Sequence, residues 1–334
     1  MKKFGRKFIV LLAIFVLLGA ALGEAAVKGL ICYGNDPAFD QFNGEAKAGA
    51  ETAKMRYGPE LRLSSYICKE ADPKEEDIPQ LKEKWDFVIA IGDNFYNVMT
   101  EDAKKHSTTK YILVDSYKTT KLNNFRIVEF NNRELGYLAG IVAASASQTG
   151  TVGFIGGVQK VPALQEMLLG YTKGVTTINP QGIVLQQWVG NFNKPKKLTK
   201  LAKKMYNDKA DVIFVPAGNS SQGIFAAAQE KKKLFVGCDG DAAKIAPQEA
   251  QNYILASVTK GLEVSVSGNI QLIMEGRFSP GTKTLNYANK GISCIRGPLT
   301  GNLWQKPSQA LLDFDAQNDL QQEDAFLKER AVKK

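Results

Sequence analysis

Short apolar runs recur along this chain, and each ends at glycine, serine, asparagine or an acid. Between them lie stretches whose apolar residues repeat at helical spacing. Runs of this length bounded by turn residues predict buried strands, and the 3.6-residue period predicts amphipathic helices. The strands are expected at 27–33, 61–67, 87–91, 111–114 and 126–130, then at 151–155, 183–189, 212–215, 234–237 and 253–257. Helices are expected between them at 41–56, 75–84 and 96–105, then at 163–176, 195–207 and 221–231. The segment 131–147, NNRELGYLAGIVAASAS, predicts a helix whose small residues permit close packing. A helix at 262–275, two strand-like pieces at 283–287 and 292–295, and a polar helical tail from about Gln305 complete the pattern.

Two series of strand–helix repeats predict an α/β protein with two doubly wound parallel-sheet lobes. In open α/β sheets ligands bind beyond the carboxyl ends of the strands, so the residues there become the candidates. The segment 234–260 supplies two: Asp239 follows one apolar run and Lys260 follows the next. Asp36, Phe39 and Asp40 lie in the loop after the first strand, and Asp115 ends the fourth. Asp40 also suits an N-cap, the commonest reason for an acid at that place. Trp188 and Phe214 end strands, where an aromatic is more often core than ligand wall, and Asn219 lies in the loop after Phe214. The glycine-rich 153–157 lacks dinucleotide-binding spacing.

Composition narrows the chemistry. The 334 residues are 44% hydrophobic and 23% charged, enough for two cores. Lys2, Lys3, Arg6 and Lys7 precede an apolar run from Phe8 to Leu18, with Gly23-Glu24-Ala25 after it. That is the layout of a secretory signal over 1–25, too short in its apolar part to span a bilayer. Its loss removes four positive charges and Glu24, taking the formal charge from +9 to +6. So modest a charge does not predict nucleic-acid binding. The dense lysines from 194 to 204 interleave with Leu198, Leu201, Ala202 and Met205, which predicts a helix with a solvated basic face. Export permits disulfides; Cys32 and Cys68 end neighbouring strands, and a bridge between them or two buried thiols both fit. No Cys/His spacing suggests a metal, no cofactor motif is present, and one histidine, His106, cannot furnish a catalytic triad.

Seven stretches then carry a family resemblance: DPAFDQ at 36–41, ELGYLAGIVAA at 134–144, GTVGFIGG with Pro162 at 150–162, WVGNF at 188–192, ADVIFVPAG at 210–218, GCDGD at 237–241 and ASVTK at 256–260. In this order and spacing the chain resembles the basic membrane protein family of ABC-transporter substrate-binding proteins, the purine-nucleoside receptor type. The resemblance implies a clamshell of the type I periplasmic binding protein kind, with three crossovers and no chemistry of its own. It implies that Phe214 stacks on a base, that Asp239 and Lys260 hold ribose hydroxyls, and that Asp115 and the Asp36–Asp40 loop lie near the base edge. The chain departs from the family at Asp40, where asparagine is usual. A carboxylate only accepts, which favours a ligand edge rich in N–H donors such as guanine. It departs again at Gly44, where many members carry a second stacking aromatic and where Phe39 or Phe42 would have to substitute. Asn219 stands where a second glycine is common, and no lipid-attachment cysteine follows the signal.

The expectation is a monomeric periplasmic carrier of a purine nucleoside or related base, handing it to an inner-membrane ABC permease. Its lobes are expected at 27–130 with 258–285, and at 131–257 with 290–334. Lys260 is thereby expected just past a crossover, brought to Asp239 by closure. The rival readings are a carrier of sugars or other small solutes, a ligand sensor, and an exported nucleoside hydrolase using Asp36, Asp40 and Asp239.

Overall fold

A computed structural model describes residues 26–298 and 304–317, so the predicted signal segment lies outside the described residues. One six-stranded sheet contains β1 (Val27–Tyr33), β2 (Leu61–Ile67), β3 (Phe87–Ile91), β4 (Lys110–Val114) and β5 (Phe125–Phe130). It is completed from far along the chain by β11 (Gly281–Leu285), in the order β11-β5-β4-β3-β1-β2. The other contains β6 (Thr151–Gly156), β7 (Ile183–Trp188), β8 (Val212–Phe214), β9 (Leu234–Asp239), β10 (Ile254–Lys260) and β12 (Ile292–Arg296). Its order is β12-β10-β9-β8-β6-β7. The central strands β3 and β10 are buried at every residue, as strands covered on both faces must be. The edge strands β2 and β7 keep polar, partly exposed residues.

The helices are α1 (Gln41–Tyr57), α2 (Tyr96–Lys105), α3 (Asn132–Ala146), α4 (Pro162–Ile178), α5 (Pro195–Asn207), α6 (Gly223–Lys231), α7 (Leu262–Met274) and α8 (Gln305–Gln317). Small residues decide how α3 meets α4. A Cβ on Gly136 would lie 2.0 Å from the Met167 carbonyl oxygen, and one on Gly140 would lie 2.3 Å from that of Tyr171. Reciprocally, Gly170 faces the Arg133 carbonyl at 1.8 Å and Gly174 that of Tyr137 at 2.3 Å. Paired small-xxx-small spacings on both helices therefore bring the backbones into direct contact. On the first sheet's side, Gly49 of α1 approaches the Glu263 carbonyl of α7 in the same way, at 2.4 Å.

The chain passes between the sheets three times: after Phe130, after Lys260, and between Leu285 and Ile292. Backbone hydrogen bonds tie the passages together, Asn131 N–H to Leu285 at 2.8 Å and Gly261 N–H to Gly291 at 2.8 Å. The Glu134 carboxylate accepts from Tyr287 N–H at 3.0 Å.

Several elements differ from expectation for identifiable reasons. The helix expected at 75–84 is two short 3-10 turns, Glu75–Asp77 and Pro79–Lys82. Pro79 lacks the N–H that would continue the first turn and disfavours helical backbone at Ile78. Strand β10 runs three residues further than expected, to Lys260, because β9 pairs with it on one side through Thr259 and β12 on the other through Lys260. Lys260 is therefore not past the crossover; it belongs to the same sheet as Asp239. Strand β12 is antiparallel to β10, the one departure from parallel pairing among the described strands. All four cysteines are free, with Cys32 and Cys68 buried in one apolar cluster, which settles the pair as thiols.

Candidate functional site

Asp115 follows β4 and Asp239 ends β9, at the carboxyl edges of the two sheets. Both have left-handed backbone, φ +65° and +73°. Aspartate tolerates this region better than most residues, and such strain gathers where a side chain must be aimed. Lys260, at the end of β10, is 4% exposed. Its ammonium donates to both oxygens of Asp115, at 2.9 Å each, across the gap between the sheets. The same ammonium lies 5.5 Å from the centre of the Phe42 ring and 5.7 Å from that of Phe130.

Asp239 is less well provided for. Its one hydrogen-bond donor among the described residues is the Cys238 thiol, at 3.5 Å. Burial pushes its carboxyl above the usual range; Lys260 pulls the other way, and Asp115 and Asp40 push it further up. Burial by itself would lower the Lys260 ammonium, but Asp115 and Asp239 outweigh it and leave the amine above its ordinary value. Burial and the neighbouring Asp239 raise the Cys238 thiol, which keeps it neutral and a donor. Asp115 and Asp239 thus both act on one ammonium, and Asp239 retains acceptor capacity that no other described residue uses. Around them, Ser116 donates to Asp93 at 2.5 Å. The Tyr117 hydroxyl accepts from Asn132 at the first crossover.

The predicted residues divide into those gathered here and those placed elsewhere. Asp115, Asp239 and Lys260 meet, with Asp40 close enough to act on Asp239. Asp40 is the N-cap of α1: one oxygen accepts from the N–H and the side-chain amide of Asn43 at 2.9 and 3.0 Å, the other from Asn35 at 3.3 Å. That bonding gives its carboxylate a local structural role. Asp36 turns back on its own loop, accepting from Ala38 N–H at 2.9 Å. It lines a pocket of about 130 Å³ between α1 and β2, whose walls include none of Asp115, Asp239 and Lys260. Phe39 is 74% exposed. Of the two aromatics considered to substitute for the one missing at Gly44, Phe42 is therefore the one beside the charged cluster.

Phe214, which the resemblance assigns to a base, is placed in the apolar interior. It is fully buried, stacked on Tyr171 at 5.5 Å and 29° and edge-on to Phe154 at 5.7 Å, so its ring belongs to the core between sheet and helices. Strand β8 is only three residues long, and its alternation turns Phe214 inward. Trp188 lies across Gly156 and meets Phe154 edge-on at 5.5 Å. Asn219 donates to Asn193 at 2.8 Å and accepts from Gln222, bracing its own loop. Phe192, from the same loop region, covers Gly157 and Gly218.

Sequence reasoning missed Phe130 and the pairing of Lys260 with Asp115. Phe130 ends β5 as Asp115 follows β4, so the strand-end rule applied to it equally; the sequence reading took it only as the last residue of a buried strand. At the rim, Gln41 donates to the Asp241 carbonyl at 3.0 Å and Glu45 faces Lys244 at 4.0 Å, linking α1 to the loop after β9.

Comparison with known proteins adds four findings. The family described as ABC transporter substrate-binding protein, PnrA-like, matches residues 39–296. The CD4+ T-cell-stimulating antigen of Listeria monocytogenes is 29% identical over 228 residues, 65% of this chain and 63% of that protein, so the match spans less than two thirds of that relative's length. The ABC transporter nucleoside-binding protein BmpA of Lactococcus lactis is 27% identical over 241 residues, 68% of each chain. A crystal structure of an ABC transporter system solute-binding protein from Aeropyrum pernix shares the fold, with a TM-score of 0.72 at 20% identity over 92% of this chain and 91% of that one.

Proposed function

This chain belongs to the family of PnrA-like ABC transporter substrate-binding proteins, and from that premise we propose that it is the periplasmic carrier of an importer for purine nucleosides or their bases. The observation that carries the reading is the cluster between the sheets: Lys260 bonded to Asp115, with Asp239 beside it holding unused acceptors. A half-buried carboxylate with spare acceptors calls for a ligand that brings donors, and the paired hydroxyls of a ribose do so. The relative from Lactococcus lactis named as nucleoside-binding supports the same class. The ligand sits between the lobes, Asp239 and Lys260 hold its hydroxyls, and Phe42 supplies an apolar wall. Closure about the three crossovers excludes water, and the closed form is what an inner-membrane permease recognises.

A thermal-shift screen of nucleosides, free bases and sugars tests the proposal. Guanosine, inosine or adenosine should raise the melting temperature in a concentration-dependent way. Stabilisation by none of the purine compounds would remove the ligand assignment. One observation favours a sugar or another small polar solute instead: with Phe214 in the core and Gly44 without a ring, the site has fewer aromatic faces than a base sandwich uses. Stabilisation by sugars alone would decide for that reading.

A further inference from the structure

The positive charge of this chain is concentrated on one face. Between Lys194 and Lys233 lie ten lysines, no arginine and three acids, a net of +7 in 40 residues. Without the predicted signal the whole chain is +6, so the rest of it nets −1. The segment forms α5, β8 and α6. The two helices run side by side: Gly223 meets the Pro195 carbonyl, and Lys203 pairs with Glu230 further along. Their inner sides bury Leu198, Met205, Ile224 and Ala228 against the second sheet, which leaves the lysines outside. We infer that this α5–α6 face is a docking surface for an anionic phospholipid bilayer, holding the protein at the membrane by charge. This rests on the reading of an exported carrier, not on which ligand it carries.

The face is poor in counter-charge. Glu230 serves Lys203 and Lys231, and Asp208 serves Lys204. Asp211 is buried and accepts from Ser147, Gln148 and Thr149. The other seven lysines form no ion pair among the described residues. The charge is also held against local cost. No acid stands in the first turn of α5, yet Lys194, Lys196 and Lys197 gather at that end, where the helix dipole disfavours cations. At the opposite ends of α5 and α6, Lys209 and Lys232 take left-handed backbone, φ +77° and +53°, which glycine adopts at lower cost. Composition then separates a bilayer from other anionic partners. Protein interfaces favour aromatic, methionine and arginine anchors and are poor in lysine. Here there is no arginine, and none of the exposed large apolar side chains lies between 194 and 233. Nucleic-acid bases are read by arginine forks and stacked rings, and Tyr206, Phe214 and Phe225, the rings of this segment, are buried. Lysine is a compact point charge on a flexible stem, suited to fluid headgroups that present no fixed geometry. A groove of about 460 Å³, walled by Asn193, Pro195 and four of the lysines, lets headgroup phosphates approach several ammonium groups at once. None of Asp115, Asp239 and Lys260 belongs to this segment, so docking leaves the ligand site untouched.

Vesicle flotation with the protein recovered after export tests this. The wild type should float with mixed phosphatidylethanolamine–phosphatidylglycerol vesicles at low salt and be released as ionic strength rises. It should stay behind with phosphatidylcholine vesicles. Each lysine near an anionic bilayer contributes about 5-fold in partitioning, about 1 kcal/mol. Replacing Lys194, Lys196 and Lys200 together by glutamine should therefore weaken binding about 100-fold. Replacing Lys69, Lys84 and Lys121 by glutamine removes the same charge from the first sheet's side and should leave binding as in the wild type. Circular dichroism confirms that both variants are folded. A wild type that fails to float with the anionic vesicles at low salt would overturn the inference. So would equal losses in the two triple variants, an unchanged first variant, or binding to a DNA duplex in place of the vesicles. Failure of every purine to stabilise the protein would leave these results standing.

Discussion

Asp239→Asn separates what the site costs from what it does. The wild-type carboxylate is half-buried and pushed up by Asp115 and Asp40, with Lys260 as its counter-charge and a thiol as its one donor among the described residues. Asparagine has the same shape, removes the charge, and accepts φ +73° with little penalty. The unliganded variant should therefore be more stable by about 1 kcal/mol, the usual gain when a functional strain is relieved. For a chain of this length that is about 2 °C in melting temperature. Because the folded-state carboxyl is raised, folded protein holds more protons than the unfolded chain over the interval above the ordinary carboxylate value of about 4. Wild-type stability thus falls as pH rises through that interval. The gap between variant and wild type should narrow as pH is lowered toward that value. Binding moves the other way. Losing one charge-assisted acceptor removes about 1.5–3 kcal/mol, roughly 10- to 150-fold in Kd. Calorimetric scans between pH 4 and pH 8, with titration of the best ligand from the thermal screen, read both effects. A variant that melts below the wild type at pH 7, or a gap that does not change with pH, would refute the reasoning.

Four further outcomes follow from packing and burial. Gly170→Ala would place a methyl 1.8 Å from the Arg133 carbonyl and push α3 from α4, costing about 1–3 kcal/mol in urea unfolding. Gly268→Ala on α7, where a Cβ would meet nothing within 4 Å, should be neutral or stabilising by up to about 1 kcal/mol. Phe214→Ala should lose about 3–5 kcal/mol of stability as a core truncation, while the Kd of the folded protein changes little; a selective loss of binding at unchanged stability would return that ring to the ligand. In the native protein Cys32, Cys68 and Cys238 should resist a thiol reagent, and Cys294, pushed up to about 12 by burial, should react slowly. All four thiols should titrate after unfolding, and an internal disulfide found by mass spectrometry would contradict this.

The alternation of apolar runs and helical spacing determined two α/β lobes by itself, because a buried parallel strand and an amphipathic helix each leave a local signature. The rule that ligands meet strand ends then selected Asp115, Asp239 and Lys260. Asp40 as an N-cap was equally local, since the cap and the N–H it serves are three residues apart. What tertiary structure alone decided concerns partners distant in sequence. Lys260 bonds Asp115 across 145 positions, and no local pattern records such a pair. The inward turn of Phe214 depends on Tyr171 and Phe154 from other elements. Strand β10 reaches Lys260 only because neighbours on both sides supply hydrogen bonds there. Periodicity fixes which face of an element is apolar. Which apolar side chain meets a charge, and from which lobe, is settled only when the sheets are set face to face.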